Sequence, residues 1–243
     1  PMLPPLDFSF PLPRTHAGIA LGNGRLGLLV WGEDRRLHIT VGRTGFWDRR
    51  GAGRFDQRID YATLLAALRA GDEASVRDAF RPDDDAANLS PTQLPAGRVD
   101  LTLPPGAQLL SATLDAAQGS LLTVRTSLGS LRIRIAIEHD LAWVELDEPL
   151  RAATVELRSA FDFAGRALAA RGIATPTETR FGPTRILTLA PPADAPLHLA
   201  LRRLAPERIT IAAQLDGAPA DLDAALDLVD HPATRGALVD ASV

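Results

Sequence analysis

The sequence predicts a mainly β fold, an antiparallel sandwich with a short helical excursion and a C-terminal helix. From residue 99 onward, short apolar stretches recur with turn residues between them, which is typical of antiparallel strands rather than alternating strand–helix units. Among them, Leu131–Ile137 alternates apolar and polar residues, as expected for a strand with one face in the core. The 243 residues and their 46% hydrophobic content suffice for one large domain.

The chain is predicted to begin with an extended arm over residues 1–13, which hold five prolines, and to continue with a β-hairpin. Leu21–Gly32 contains the pattern G-x-G-x-x-G, and Asp48 follows it at the distance typical of dinucleotide-binding proteins. That function requires a helix directly after the glycines, because the helix N-terminus holds the pyrophosphate. Leu37–Val41 instead alternates like a strand, and a turn at Gly32–Asp34 leaves no room for a helix. We therefore expect the glycines to serve a hairpin turn and close packing, and to hold no phosphate.

Two short helices are predicted between this hairpin and the later strands. Asp60 is a suitable N-cap for a helix over Tyr61–Ala70, and Gly71 supplies its end. Asp72 then begins a second helix that ends at Phe80. The apolar residues of the first helix share one face: Tyr61, Leu64, Leu65 and Leu68.

Strand predictions dominate the remainder. They cover Leu121–Thr126, Leu141–Leu146, Thr154–Leu157, Ile186–Leu189, Leu197–Leu201 and Ile209–Ala213, followed by a last helix over Asp221–Val229. We expect a sandwich domain over residues 14–217 that includes the helical excursion at 60–80. Residues 218–243 are then a helix and the start of a linker to a further, catalytic domain.

The composition excludes several classes of site. A net charge of −4 and a pI near 5.7 argue against a nucleic-acid partner. The chain has no cysteine, its five histidines lack metal-ligand spacing, and no apolar stretch is long enough for a membrane span. We expect no metal, no cofactor and no membrane association. The localisation stays open: periplasmic or extracellular if a leader was removed, otherwise cytoplasmic.

One part of the sequence resembles a known family. Ile19–Gly27 with Val30–Gly32, followed by Thr40–Arg43 and Phe46–Asp48, resembles the N-terminal domain of bacterial glycoside hydrolases related to families 65 and 95. Leu94–Leu101 and the strands up to residue 146 fit the same domain. The resemblance implies a galactose-mutarotase-like β-supersandwich that precedes an (α/α)6 barrel. It also implies that the barrel holds the catalytic acid and base, so this chain would be the non-catalytic part.

Three residues are candidates for contact with a carbohydrate: Asn23, Trp47 and Asp48. Trp47 could present a flat ring to the C–H face of a sugar. Asp48 could bind a sugar hydroxyl, although a turn acid paired with Arg49 or Arg50 is the alternative. Asn23 is expected in a tight turn with positive φ, where its side chain would bond neighbouring backbone or face a sugar. The other two tryptophans, Trp31 and Trp143, are expected to be packed.

Glycosidic hydrolysis needs two carboxylates on either side of the bond. The acids considered are Asp48, Asp83–Asp85, Glu138 and Asp140, whose separations the sequence does not give. Three functions follow. The first is the N-terminal domain of a glycoside hydrolase that packs on a helical barrel and lends loop residues to its active site. The second is a stand-alone carbohydrate-binding module, and the third is a structural or homo-oligomerising domain.

Overall fold

The computed structural model describes residues 4–51, 60–80, 89, 91–115 and 121–230. Most of the strands of these residues form two antiparallel sheets, which confirms the predicted mainly β sandwich with a helical excursion and a C-terminal helix. The strands of the smaller sheet are β2 (Ile19–Gly22), β3 (Leu26–Glu33), β4 (Arg36–Arg43), β7 (Gly97–Thr102) and β12 (Thr154–Ser159). Their order across the sheet is β12-β7-β4-β3-β2, and every neighbouring pair is antiparallel.

The larger sheet has nine strands within the described residues. They are β1 (Leu6–Ser9), β8 (Leu109–Asp115), β9 (Leu121–Thr126), β10 (Ser130–Ile135), β11 (Leu141–Leu146), β13 (Thr177–Phe181), β14 (Thr184–Leu189), β15 (Leu197–Ala205) and β16 (Arg208–Leu215). Their order is β1-β8-β9-β10-β11-β16-β15-β14-β13. The two short strands β5 (Trp47–Asp48) and β6 (Thr92–Gln93) pair with each other outside both sheets.

The main core lies between the inner faces of the two sheets. On the smaller sheet, inward residues alternate with outward ones because successive side chains of a strand point to opposite faces. Fully buried members of this core come from both sheets, including Leu28, Ile39 and Leu101 from the smaller and Leu122, Ile133 and Ile211 from the larger. The sandwich is thus held by one continuous apolar layer.

A second, smaller core covers the outer face of the larger sheet. The C-terminal helix α4 (Pro219–Asp230) places Leu222 and Leu226 against Trp143 and Ile186. Trp143 is only 7% exposed, which confirms its predicted packing, but it packs in this second core and not between the sheets. The C-terminal helix is therefore an integral layer of the described fold.

The two helices of the excursion form at the predicted capping residues. Helix α1 (Tyr61–Ala70) begins where the Asp60 carboxylate accepts a hydrogen bond from the Thr63 amide, and it ends at Gly71, whose φ is +69°. Asp72 caps α2 (Glu73–Ala79) in the same way through Ser75. Among the described residues, nothing fully covers the shared apolar face of α1: none of its side chains is buried, and Tyr61 is 78% exposed.

The expectation that strands fill the chain between residue 99 and the C-terminal helix is wrong in one place. Helix α3 (Phe161–Ala170) interrupts them. The Asp162 carboxylate accepts from the Ser159 amide, and Ser159 Oγ accepts from the Phe161 amide, which together stabilise the first turn. Phe161, Ala164 and Leu168 then face the main core at helical spacing.

The N-terminal arm includes the extended strand β1, which pairs with β8 at one edge of the larger sheet. One further prediction needs correction. The alternating strand Leu131–Ile137 ends at Ile135. The Ala136 amide donates to the Leu141 carbonyl and closes the turn to β11, so Ala136 is buried while Ile137 is 51% exposed.

Candidate functional site

The glycine-rich motif forms the turn between β2 and β3, and a strand follows it instead of a helix. Gly24 is the residue with a left-handed backbone, at φ +86°. The expectation of positive φ at Asn23 is wrong, because the glycine that follows it supplies the turn. Without a helix N-terminus after the glycines, the geometry of a dinucleotide-binding loop is missing here.

The Asn23 side chain connects this turn by hydrogen bonds to the turn between β10 and β11 on the other sheet. Its Oδ1 accepts from the amides of Arg25 (2.9 Å) and Leu26 (2.8 Å). Its Nδ2 donates to the carbonyls of Ala136 (2.7 Å) and His139 (2.9 Å). An asparagine amide has two N–H donors and two acceptor lone pairs, so these four bonds use its full capacity.

Ion pairs strengthen the same junction. Asp140, in the β10–β11 turn, forms ion pairs with Arg25 at 3.2 Å and with Arg43 at 2.8 Å. The Arg25 guanidinium also donates to the Glu138 carbonyl. The two acids considered for catalysis in this turn therefore lie in a structural junction between the sheets.

The buried carboxylate of Asp48 is bound by two arginines. Its side chain is fully buried and accepts from Arg50 Nε and Nη2, both at 2.9 Å, and from Arg171 Nε at 2.8 Å. The hydrogen bonds from Arg50, with those from Arg171, outweigh burial and lower the pKa of Asp48 to about 2. Of the two arginines weighed as its structural partner, Arg50 is the one that pairs with it.

Arg49 and Trp47 lie on either side of Asp48. Arg49 binds the Asp194 carboxylate through its amide at 2.7 Å and its guanidinium at 2.9 Å. Trp47 is half-buried and sits opposite Gln93 in the short β5–β6 pair. The structure thus leaves Trp47 partly accessible and Asp48 inaccessible, and substrate contact by any of the three predicted residues stays a prediction.

The outer face of the smaller sheet carries an aromatic and charged cluster that sequence reasoning missed. We call it the outer-face cluster, formed by Trp31, His38, Arg98, Asp100 and Phe163. The rings of Trp31 and His38 lie 4.3 Å apart at an angle of 33°. The Arg98 guanidinium lies 5.5 Å from the Trp31 ring and 5.4 Å from the Phe163 ring, which is the distance of a cation–π contact.

Hydrogen bonds and ion pairs fix this cluster. His38 Nδ1 lies 2.7 Å from Asp100 Oδ1, and Arg98 Nη2 donates to Asp100 Oδ2 at 3.1 Å. Burial acts to raise the pKa of Asp100, but the bonds from His38 and Arg98 outweigh it, so the pKa lies below its usual value. Asp100 is therefore a carboxylate at neutral pH.

Beside the cluster, an open trough of about 440 Å³ runs over the glycine motif. Gly27 and Gly42 line it, with Gln93–Pro95 on one side and Leu29 and Thr40 on the other. The trough and the cluster adjoin, because Thr40 lines the trough and its Oγ1 accepts from Trp31 Nε1 at 3.0 Å. The trough and the cluster are therefore neighbours on the outer face of the smaller sheet.

The register of the sheet creates this surface. Trp31 pairs with His38, and His38 pairs with Asp100 on the next strand, so residues far apart in sequence become neighbours on one face. The only feature of the sequence that could have indicated the outer-face cluster is the alternation of outward residues along β3, β4 and β7. It marks these side chains as outward, but it does not say which of them meet.

The described residues show no cluster of three or more metal-ligating side chains and no helix long and apolar enough to cross a membrane. His198, the most buried histidine described, lies 2.8 Å from Thr188 Oγ1 and 3.1 Å from the Gly217 carbonyl, which is a structural environment. Asp83–Asp85 lie outside the described residues.

No protein-family model matches the chain, and no curated protein is significantly similar to it.

Proposed function

We propose that this chain is a non-catalytic, carbohydrate-binding β-sandwich domain of a glycoside hydrolase, and that it binds glycans on the outer face of its smaller sheet. The observation that carries the proposal is the outer-face cluster. It places aromatic rings beside a charged hydrogen-bonding network on the outer face of the smaller sheet, where Phe163 of α3 lies over Arg98.

The cluster combines the two groups that a sugar requires. A pyranose presents an apolar C–H face, which stacks on a flat ring, and a rim of hydroxyls, which need donors and acceptors. Phe163 is 42% exposed, and the side chains of Arg158 and Glu156 at the edge are 45% and 58% exposed. Because Asp100 holds Arg98 and His38 in place, the polar groups are oriented before any ligand binds.

The clearly shifted carboxyl pKa values fit structural pairing of the acids concerned. A glycosidase needs one carboxylic acid with a raised pKa to protonate the leaving group. Among the described residues, every carboxyl whose pKa is clearly shifted is shifted downward: Asp48, Asp60, Asp72, Asp100 and Glu178. These acids stay ionised at neutral pH, which suits structural pairing better than proton donation.

The association with a glycoside hydrolase rests on the motif resemblance. In that arrangement a C-terminal helical barrel would hold the acid and base, while this domain would pack against the barrel and bind substrate. A stand-alone carbohydrate-binding module is the alternative that the same surface supports. Hydrolysis of aryl glycosides by this chain alone, at a rate that tracks purified protein, would overturn the non-catalytic assignment.

Glycan binding is tested with Phe163→Ala, measured by glycan array and then by calorimetry. Phe163 lies on the exposed side of the cluster, so its removal is expected to weaken binding at least tenfold with little effect on folding. Phe80→Ala is the matched control, because Phe80 is a comparably exposed phenylalanine (55%) at the end of α2. Equal affinity in both variants, or no binding by the wild type at millimolar ligand, would contradict the proposal.

A further inference from the structure

The imidazole of His38 binds a carboxylate through one ring nitrogen and leaves the other at the surface of the outer-face cluster. Its Nδ1 lies 2.7 Å from Asp100 Oδ1, whereas no residue that the structure describes forms a hydrogen bond with Nε2. Nε2 is not one of the buried polar atoms that lack a partner, and the side chain is 18% exposed. This nitrogen is therefore within reach of a ligand.

The state of Asp100 determines which nitrogen of His38 carries the proton. A carboxylate can only accept hydrogen bonds, so His38 Nδ1 donates to it. Arg98 helps to keep Asp100 ionised, because its Nε lies 2.7 Å from Oδ1 and its Nη2 lies 3.1 Å from Oδ2. In the neutral imidazole, a proton on Nδ1 leaves a lone pair on Nε2. His38 thus presents a hydrogen-bond acceptor on the outer face of the smaller sheet.

The neighbouring strands hold the imidazole in place. His38 lies opposite Trp31 on β3 and opposite Asp100 on β7. The Trp31 ring, 4.3 Å from the imidazole, is itself held by the hydrogen bond from its Nε1 to Thr40 Oγ1 at 3.0 Å. A side chain that is already fixed loses little conformational entropy when a ligand binds, so the acceptor at Nε2 is pre-organised.

His198 provides a comparison within the same chain. Both of its ring nitrogens have partners, Thr188 Oγ1 at 2.8 Å and the Gly217 carbonyl at 3.1 Å, and the residue is only 2% exposed. His38 differs because only one of its nitrogens has a described partner. A nitrogen that is oriented and accessible is what a contact between histidine and a ligand requires.

We infer that His38 Nε2 accepts a hydrogen bond from one hydroxyl of the bound glycan, and that Asp100 is the positioning residue that fixes the required tautomer. The ligand must therefore carry a free hydroxyl close to the sugar ring that stacks on Phe163. A site built to bond a hydroxyl discriminates against sugars in which that group is removed or substituted. The inference rests on the proposed function, because it names a polar contact of the same surface.

The first test removes Nε2 and keeps the bond to Asp100. In His38→Asn the amide Nδ2 replaces Nδ1 as the donor, and no atom replaces Nε2. Calorimetry uses the methyl glycoside of the disaccharide that binds tightest on the glycan array. We expect His38→Asn to weaken binding at least tenfold while its urea midpoint stays close to that of the wild type. His139→Asn, the same substitution at an exposed histidine outside the cluster, is the matched control and should bind like the wild type.

The second test identifies the hydroxyl that donates to Nε2. A deoxyfluoro sugar carries fluorine in place of one hydroxyl, and fluorine cannot donate a hydrogen bond. Among the monodeoxyfluoro derivatives of the same glycoside, we expect one to bind the wild type at least tenfold more weakly. That replacement should change the affinity of His38→Asn less than twofold, because the partner nitrogen is already missing.

The third test needs no ligand. In protein labelled with ¹⁵N-histidine at pH 8, we expect the His38 signals to show a proton on Nδ1 and a bare Nε2, with His38→Asn supplying the assignment. Asp100→Asn should populate both tautomers, because an amide can either accept from Nδ1 or donate to it.

The outcomes distinguish this inference from the proposed function. Equal affinity of His38→Asn and the wild type, with binding lost in Phe163→Ala, overturns the role of His38 and keeps the proposed function. Absence of all glycan binding overturns both. A proton on Nε2 in the ligand-free protein overturns the inference alone. If His38→Asn lowers the urea midpoint sharply, the wild-type fluoro series decides, and the absence of any tenfold loss in that series overturns the inference.

Discussion

At the scale of single residues, Asp48 was a candidate for ligand binding, but its contacts are those of a structural residue. Its carboxylate is fully buried and accepts hydrogen bonds from Arg50 and Arg171, which lie 121 positions apart in sequence. Both arginines satisfy it with charge-assisted bonds, so a sugar hydroxyl would have to displace a stronger partner. We therefore expect Asp48 to stabilise the fold and not to bind a sugar.

The pH dependence of stability tests that role. The pKa of Asp48 is lowered from 3.8 to about 2 in the folded protein, so its stabilising contribution is complete above about pH 5. That contribution is lost as the pH falls from about 4 through 2, because the unfolded chain takes up the proton first. Urea unfolding is expected to show a smaller decrease between pH 6 and pH 2.5 in Asp48→Asn than in the wild type.

The same variant is expected to lose about 3 kcal/mol of unfolding free energy at pH 7, because two arginines would face an uncharged partner. Glu33→Gln, at an exposed carboxylate, is the control and should follow the wild-type pH profile. Parallel profiles for Asp48→Asn and the wild type would show that Asp48 does not carry this part of the acid sensitivity.

At the scale of elements, Asn23 joins two turns that belong to different sheets. Asn23→Ala removes four hydrogen bonds and leaves the Ala136 carbonyl without its side-chain donor, so we expect the unfolding free energy to fall by about 2 kcal/mol. His139→Ala is the control, because His139 contributes only its backbone carbonyl to the hydrogen bonds of Asn23. Its unfolding free energy should stay within about 0.5 kcal/mol of the wild type. Equal denaturation midpoints for Asn23→Ala and His139→Ala would show that the Asn23 side chain does not stabilise the contact between the two turns.

The elements also show what the sequence could predict. Capping residues and alternation located α1, α2, β9 and β11, because those signals lie within a few residues of each other. Helix α3 was missed because its Phe161, Ala164 and Leu168 stand between strands and resemble another short apolar stretch. The outer-face cluster was missed for a different reason: the pairing of His38 with Asp100 depends on a register between strands 62 positions apart.

At the scale of the whole molecule, both sheets share one apolar core, so they are expected to unfold together. Two single-tryptophan variants test this, one keeping Trp31 on the smaller sheet and one keeping Trp143 on the larger, with phenylalanine at the other positions. Their fluorescence midpoints in urea should coincide with each other and with the loss of β circular dichroism. Separate midpoints would show that the sheets are independent folding units.

The larger sheet ends in β13, whose sequence Thr177–Phe181 alternates threonine with charged residues. Glu178 pairs with Arg180 at 2.8 Å and with Arg185 of the neighbouring strand at 3.0 Å. An open sheet edge is a template on which another chain can add a strand, and charged side chains discourage that addition. The β13 edge of the nine-stranded sheet therefore carries its own protection against the addition of a strand from another molecule.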